Sequence, residues 1–462
     1  MARIPILILL STFTMFVALS QESAKQSADR TSVDGRSVLT IAENDPKAAS
    51  KAVAEPRRAP EPGSEVQEQR QGISTLWHAW DGMRTSLGEH GLDVAVTYKS
   101  DNLSTVSGGR GRGSAYIQNI DLTASLDAQK VLGLSGTKMF VHVLSNNGGG
   151  LNRYVGDIQM VSNLEGFALL KLYQCWGEYE FSDRDGSVRA GLYDLNSEFY
   201  VTASSGLFLN ASHGIGREFS QAGLNGPSIF PNTGLALRVK LQPWQNVFTQ
   251  IVALDGRPGT EEDPVATSFR IDSREGALLV AECGYLRASS DEEPGLEKLA
   301  VGVWQYTASF EEILPGEAGE TISSSRNGGM YVIAEKKFMT GESGNPRSVS
   351  FFVRGGVANS RINRFQYHYG FGIVSAGLFS GRADDVFGVA VAHARGGDAY
   401  CNLKLMQGEA VRSGETTIEV TYRAQIAPWI AVQPNIQFVS RPGEGAGNRD
   451  ATVVGARIEV GL

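Results

Sequence analysis

The chain has 462 residues, 20% of them charged and 42% hydrophobic, with a formal net charge of −8. Its apolar and aromatic side chains exclude a fully disordered polymer, and its negative balance leaves no basic footprint for nucleic acid. Three cysteines exclude a disulfide framework, and neither a metal site nor a cofactor is expected.

Residues 1–20 (MARIPILILLSTFTMFVALS) place Arg3 ahead of an apolar run from Ile4 to Val17, with small residues at Ala18 and Ser20. This pattern predicts a secretory signal peptide cleaved after Ser20. Residues 21–72 are rich in Ser, Ala, Glu, Gln, Arg and Pro and lack aromatics, which predicts a disordered exported linker. In 73–90, Ile73, Leu76, Trp77, Trp80, Met83 and Leu87 recur at helical spacing, and Gly88 and Gly91 can end the helix. No other stretch has the length of an apolar transmembrane helix. The mature chain is therefore soluble outside the inner membrane, or it spans a membrane as a closed β-barrel, the form that pairs every backbone amide in lipid without helices.

From Gly91 onward the pattern has period two. Ile418, Val420 and Tyr422 alternate with Glu415, Thr417, Glu419, Thr421 and Arg423. Ile120, Leu122, Ala124 and Leu126 alternate with Asn119, Asp121, Thr123, Ser125 and Asp127, and the last strand runs to Leu462. Successive side chains on a strand point to opposite faces, so each segment has one apolar and one polar face. Strands are predicted near 91–101, 117–127, 136–146, 167–181, 187–195, 233–242, 246–255, 275–287, 296–307, 328–337, 347–358, 366–377, 386–395, 414–426, 429–440 and 451–462. The expected fold class is all-β: a transmembrane antiparallel barrel of about 16 strands, apolar outside and polar inside, over 91–462, preceded by a short periplasmic helical segment. Alternation fails around 167–181 and 246–255, where a bulge or a lumen-folded segment would account for it. Tyr98, Tyr367, Tyr369 and Phe438 suit an interfacial girdle.

Connections differ in kind on the two sides. Asp183–Gly186, Pro243–Gln245, Gly381–Asp385 and Ala427–Pro428 are tight. Ser145–Leu164, Asn196–Asn232, Arg257–Arg274, Glu311–Asn327 and Gly396–Ser413 are long. Short turns facing the periplasm and long loops facing outward are the asymmetry of an outer-membrane barrel.

The motifs then fall into a recognisable order. Trp80-Asp81-Gly82, Arg84, Leu87 and Gly91 come first, then Gly108-Gly109, Val155-Gly156-Asp157 and Ser162-Asn163-Leu164-Glu165. Leu172-Tyr173 with Trp176, Arg189-Ala190-Gly191, Glu198-Phe199 and Leu207-Phe208-Leu209-Asn210 follow. Gly377-Leu378, Arg382 with Asp384-Asp385, Glu415, Glu419 and Tyr422, Gln433-Pro434-Asn435 with Gln437-Phe438, Pro442-Gly443 and Gly455-Ala456-Arg457 close the series. Over most of 77–462 the chain resembles the carbohydrate-selective outer-membrane porins of the OprB type. That resemblance implies one barrel of about sixteen strands passing small saccharides across the outer membrane of a Gram-negative cell. It also implies outer-membrane lipid and the barrel-assembly machinery as partners, in a monomer or a homotrimer. The family's chains commonly end in Phe; the terminal Leu462 is a departure that bears on recognition by that machinery.

A sugar pore needs carboxylates and amides for hydroxyls, arginine donors, and aromatic faces. The candidate lining residues are Arg189, Arg238, Arg354, Glu178, Glu282, Glu335 and Glu419, with Trp176 and Trp304 as stacking platforms. The competing reading has these charges bracing the wall through cross-strand pairs and the tryptophans at the lipid interface. Asn196–Gly216 is the best candidate for a segment folded into the pore, because Leu207-Phe208-Leu209 needs burial; the competing reading is a loop capping the barrel rim. Cys175 and Cys283 fall on strands and Cys401 in a loop. None of the six histidines lies in a hydrolase or metalloprotease motif, so no catalytic residue is expected. The alternatives are a porin of other selectivity, for ions or general small solutes, and a secreted β-rich sugar-binding protein.

Overall fold

The computed structural model describes residues 80–181, 186–287, 295–314, 323–339, 347–409, 411, 413–443 and 447–462. The expected signal peptide, the linker and residues 73–79 of the expected helix lie outside the described residues. Residues 80–89 are helical, and Gly91, at φ +85°, turns the chain into the first strand.

Sixteen strands follow: β1 (Leu92–Gly109), β2 (Gly113–Asp127), β3 (Thr137–Gly148), β4 (Leu169–Glu180), β5 (Gly186–Tyr193), β6 (Gly234–Trp244), β7 (Val247–Asp255) and β8 (Ala277–Leu286). They continue as β9 (Gly295–Glu311), β10 (Ser324–Met339), β11 (Ser348–Ala358), β12 (Phe365–Ala376), β13 (Val386–Gly396), β14 (Gly414–Ala427), β15 (Ile430–Ser440) and β16 (Arg449–Gly461). Each pairs antiparallel with its neighbours in sequence, and β1 pairs with β16, so the sheet closes. Closure removes both sheet edges and pairs the backbone within the wall. Each predicted strand has its counterpart here. The largest boundary difference is in β1, which runs on to Gly109 through the polar stretch from Asn102, where no apolar alternation marks it.

Side-chain parity gives the wall its two faces. Val301, Val303, Val332, Val353, Phe371 and Ile373 are exposed on the outside. Asp101, Asn119, Glu282, Arg354, Glu419 and Gln437 are buried on the inside. Tyr369 and Phe438 are on the outer surface, Tyr369 stacked on His393. The irregularity at 167–181 is a bulge: the β3/β4 register shifts between His142 and Val143. The one at 246–255 has another cause. Phe248, Val252 and Leu254 point inward and are apolar because a lumen-folded segment packs on them.

That segment, residues 194–233, joins β5 to β6. Its Leu195, Phe199, Tyr200, Ile215 and Phe219 pack on inner-face residues of β7–β10, among them Leu278, Trp304, Tyr306 and Tyr331. Its Phe208 packs on Phe352, Val374 and Ala390. The hydrophobic core therefore lies inside the barrel, in clusters against β7–β10, against β11–β13 and, through Leu209 and the β3–β4 connection, against β1, β2, β15 and β16. Cys401, expected in a loop, sits on the helix Asp398–Met406 within the β13–β14 connection; the run of Leu403, Lys404, Leu405 and Met406 sustains that turn of chain.

Candidate functional site

The site is the contact between the inner wall and the inward segment. The segment is built from short 3₁₀ turns at Leu195–Ser197, Ser204–Leu207 and Ala211–His213 and a one-turn helix at Arg217–Ser220. Short turns leave most of their N–H and C=O groups without internal partners. Wall side chains supply them. Glu282 accepts from Tyr200 N (2.9 Å). Glu335 accepts from Ala203 N (2.7 Å) and Ser204 N (2.8 Å). Glu419 accepts from Leu209 N (2.7 Å) and Asn210 N (3.0 Å). Arg354 does the converse, donating to the carbonyls of Tyr200 (2.7 Å), His213 and Gly214 (2.5 Å). Lys298 Nζ donates to Val201 O, and Gln433 Nε2 to Leu207 O. The carboxylates collect amides and the cations collect carbonyls, each matching its own polarity.

Glu178, Arg189 and Arg238 form one cross-strand row, Glu178 opposite Arg189 and Arg189 opposite Arg238. Two adjacent guanidiniums repel, and two carboxylates offset this. Arg189 and Arg238 both donate to Glu178, at 2.6 and 2.8 Å. Both also donate to Glu198 of the inward segment, at 3.3 and 3.0 Å. Glu198 was absent from the candidates drawn from the sequence. Its signal was arithmetic: two inward arginines on paired strands share one wall carboxylate, and Glu198 is the second acid after Arg189, following Asp194.

The two tryptophans both point inward and meet different fates. Trp304 is buried, stacked face to face on Phe219 with centroids 4.6 Å apart; the inward segment occupies the face expected to be a platform. Trp176 carries Phe140 stacked at 4.9 Å and the Arg189 guanidinium 3.8 Å from its ring centroid. Phe140, also missed from sequence, forms the base of this column.

Exposure divides the candidate residues. The side chain of Glu282 is 0% exposed, and Arg238, Arg354, Glu335 and Glu419 are also buried. Lys99, Arg423 and Glu459 keep 31%, 27% and 31% of their side-chain surface, and Asp121, Arg189, Glu198 and His142 keep smaller shares. These accessible groups sit on β14, β16 and β1–β5 or at the start of the segment. His142 Nε2 lies 2.8 Å from Asp121 Oδ1, and Lys99 Nζ 3.9 Å from Asp121 Oδ2, which carries the polar row across three strands.

The β3–β4 connection packs on the inner wall near the long-loop end. Asp101, paired with Arg457 at 2.7 Å, accepts from Ser162 Oγ. Glu415 accepts from Ile158 N and Gln159 N. In this connection burial, reinforced by the neighbouring Asp157 carboxylate, pushes Glu165 up to about 7. Among the described residues, no group of three or more His, Cys, Asp or Glu is placed to hold a metal ion.

Residues 111–462 match the family model described as "Carbohydrate-selective porin, OprB family". The chain belongs to that family. This OprB-family porin is 24% identical to Porin B of Pseudomonas aeruginosa over 421 residues, 82% of this chain and 89% of that protein. It superposes on the high-pH structure of Pseudomonas putida OprB with a TM-score of 0.73 at 22% identity, covering 83% of this chain and 97% of that one. The low-pH structure of the same protein gives a TM-score of 0.53 at 18% identity, over 83% and 96%. Identities this low speak for the fold alone. Family membership and the closed barrel together make the chain a carbohydrate porin of the Gram-negative outer membrane.

Proposed function

We propose that this porin passes small neutral saccharides by diffusion, along the arc of inner wall that the inward segment leaves uncovered. The chain is exported through the signal peptide of residues 1–20, and no bond is made or broken in passage. The observation that carries this reading is the split in exposure. Arg354, Arg238, Glu282, Glu335 and Glu419 are buried under the segment and position it, while Arg189, over the Trp176 ring, and Glu198 keep 13% and 17% of their side-chain surface towards the open side. Arg189, Glu178 and Glu198 offer sugar hydroxyls donors and acceptors in one place. Their charges, with Arg238, cancel, so the arc favours polar neutral solutes over ions of one sign. Contacts of this kind are weak and several, which lets a solute leave as readily as it enters.

The test is single-channel conductance of the detergent-purified mature chain in a planar bilayer, titrated with glucose and maltodextrins. Saturable block by sugar that Arg189→Ala weakens supports the reading. Steps that no sugar reduces would leave a porin for ions or general small solutes.

A further inference from the structure

The outer wall carries an apolar groove that sugar passage does not use. It has a volume of about 310 Å³ and is lined by Phe387, Val420, Tyr422, Pro434, Ile436 and Val454. These residues have outward parity on β13, β14, β15 and β16, opposite to the buried Ala390, Glu419, Asn435 and Val453. The groove exists because of Pro434. A proline within a strand brings no amide hydrogen to the ladder, and its compact ring replaces a branched side chain. Its partner across β15/β16 is the small Ala456, so the wall is shallow where its neighbours are bulky.

The groove runs from mid-height, at Ile436 and Val454, towards the end of the barrel with short turns. At that end Tyr422 leaves the apolar lining and becomes polar. Its hydroxyl donates to Asp385 Oδ2, the oxygen that also accepts from Arg382 Nε at 2.7 Å. The Arg382 guanidinium remains 41% exposed, and the Phe379 ring flanks Tyr422 at 5.8 Å. Short turns mark the periplasmic side, so a short apolar groove leads to an exposed cation at the level of the periplasmic headgroups.

We propose that this groove seats a phospholipid of the periplasmic leaflet, one acyl chain along Phe387, Val420, Ile436 and Val454 and the phosphate at Arg382. Hydrocarbon suits the lining, and the cation at its end suits a phosphate, which arginine binds with paired N–H donors. The charge at one end matches a phospholipid rather than a free hydrocarbon.

Native mass spectrometry of the full chain, released from detergent after incubation with palmitoyl-oleoyl phosphatidylethanolamine or phosphatidylglycerol, tests this. The wild-type barrel retains one phospholipid per chain. Val454→Trp fills the groove and lowers that occupancy about tenfold, corresponding to the loss of one well-packed apolar contact surface. Ile436→Trp does the same from the neighbouring strand, which covers the case of one variant failing to fold. Arg382→Ala lowers retention of both phospholipids without changing retention of dodecyl detergent. Conductance of the tryptophan variants stays at the wild-type value, because both side chains point away from the lumen. Equal retention by wild type and both tryptophan variants would overturn the proposal. So would a shift from oligomer to monomer in those variants with no change in lipid, which would make the groove an interface between copies of this chain.

Discussion

Arg354 and Glu335 hold one stretch of the inward segment from two neighbouring strands. Arg354 on β11 donates to the Tyr200 carbonyl at 2.7 Å, and Glu335 on β10 accepts from Ala203 N at 2.7 Å, three residues further on. A cation and an anion on adjacent strands thus grip the carbonyl and amide ends of a single turn. The wall reads the direction of the peptide dipoles as well as their position.

Arg354→Ala removes the donors for three carbonyls at once, in a place water does not reach. Hydrogen bonds to charged groups contribute ~1.5–3 kcal/mol each, so the inward segment should loosen. Open-channel conductance and its noise should rise, and amide exchange over residues 200–215 should accelerate. Arg354→Lys should restore little, because an ammonium cannot fork between carbonyls as a guanidinium does.

Glu335→Gln replaces one of two acceptor oxygens with an amide NH2 that faces one of the two backbone N–H groups. Leaving a buried donor unpaired costs ~1–3 kcal/mol. The thermal midpoint of the barrel should fall, and exchange protection should be lost at Ala203 and Ser204 in particular. Intact protection at those two amides would detach Glu335 from the segment.

Arg189→Ala leaves Glu178 and Glu198 facing a single arginine, Arg238. The lumen gains a net negative charge there. Reversal potentials measured across a potassium chloride gradient should shift towards cation selectivity, and block by sugar should weaken in the same protein. A shift in selectivity without any change in block would separate the charge row from sugar binding.

Gly302 faces the Tyr331 ring so closely that a β-carbon would overlap it. Tyr331 in turn donates to Glu282 at 2.7 Å and stacks on Tyr200 with centroids 4.1 Å apart. Gly302→Ala should displace this ring, at a cost of ~1–3 kcal/mol for overpacking. The loss should appear as a lower unfolding temperature together with a noisier channel.

Glu165, raised to about 7, holds its proton more tightly when folded than when unfolded. Its contribution is complete below the ordinary carboxylate range and is lost as pH rises through about 7. Stability should therefore fall between about pH 4.5 and 7, by an amount on the order of 3 kcal/mol. Glu165→Gln should flatten that dependence in thermal melts taken at acidic and neutral pH.

Period-two alternation made the wall legible: each strand shows its faces directly in the order of its residues. The inward segment was legible for a different reason, since Leu207-Phe208-Leu209 has no burial in an open loop. The destination of the inward charges was not. Parity says that Arg354 and Glu282 point into the barrel, and nothing local says whether a sugar or a peptide bond meets them there. Trp304 and Trp176 carry the same parity, yet Phe219 covers one and Arg189 the other, through contacts set by a segment with no periodic signal. Phe140 was hidden because one aromatic on an inner face looks the same in sequence whether it lines or supports.

The inward segment also constrains the order of assembly. Ala203 precedes its anchor Glu335 by 132 positions, and Leu207 precedes Gln433 by 226. Eleven of the sixteen strands are made after the segment, and its anchors lie among them. Contacts so distant in the chain form only after the loops between them close. A half-built sheet therefore carries the segment with its contacts to β4 and β5 but without its partners on β8–β15. The contacts that shape the lumen are thus among the last the chain can make.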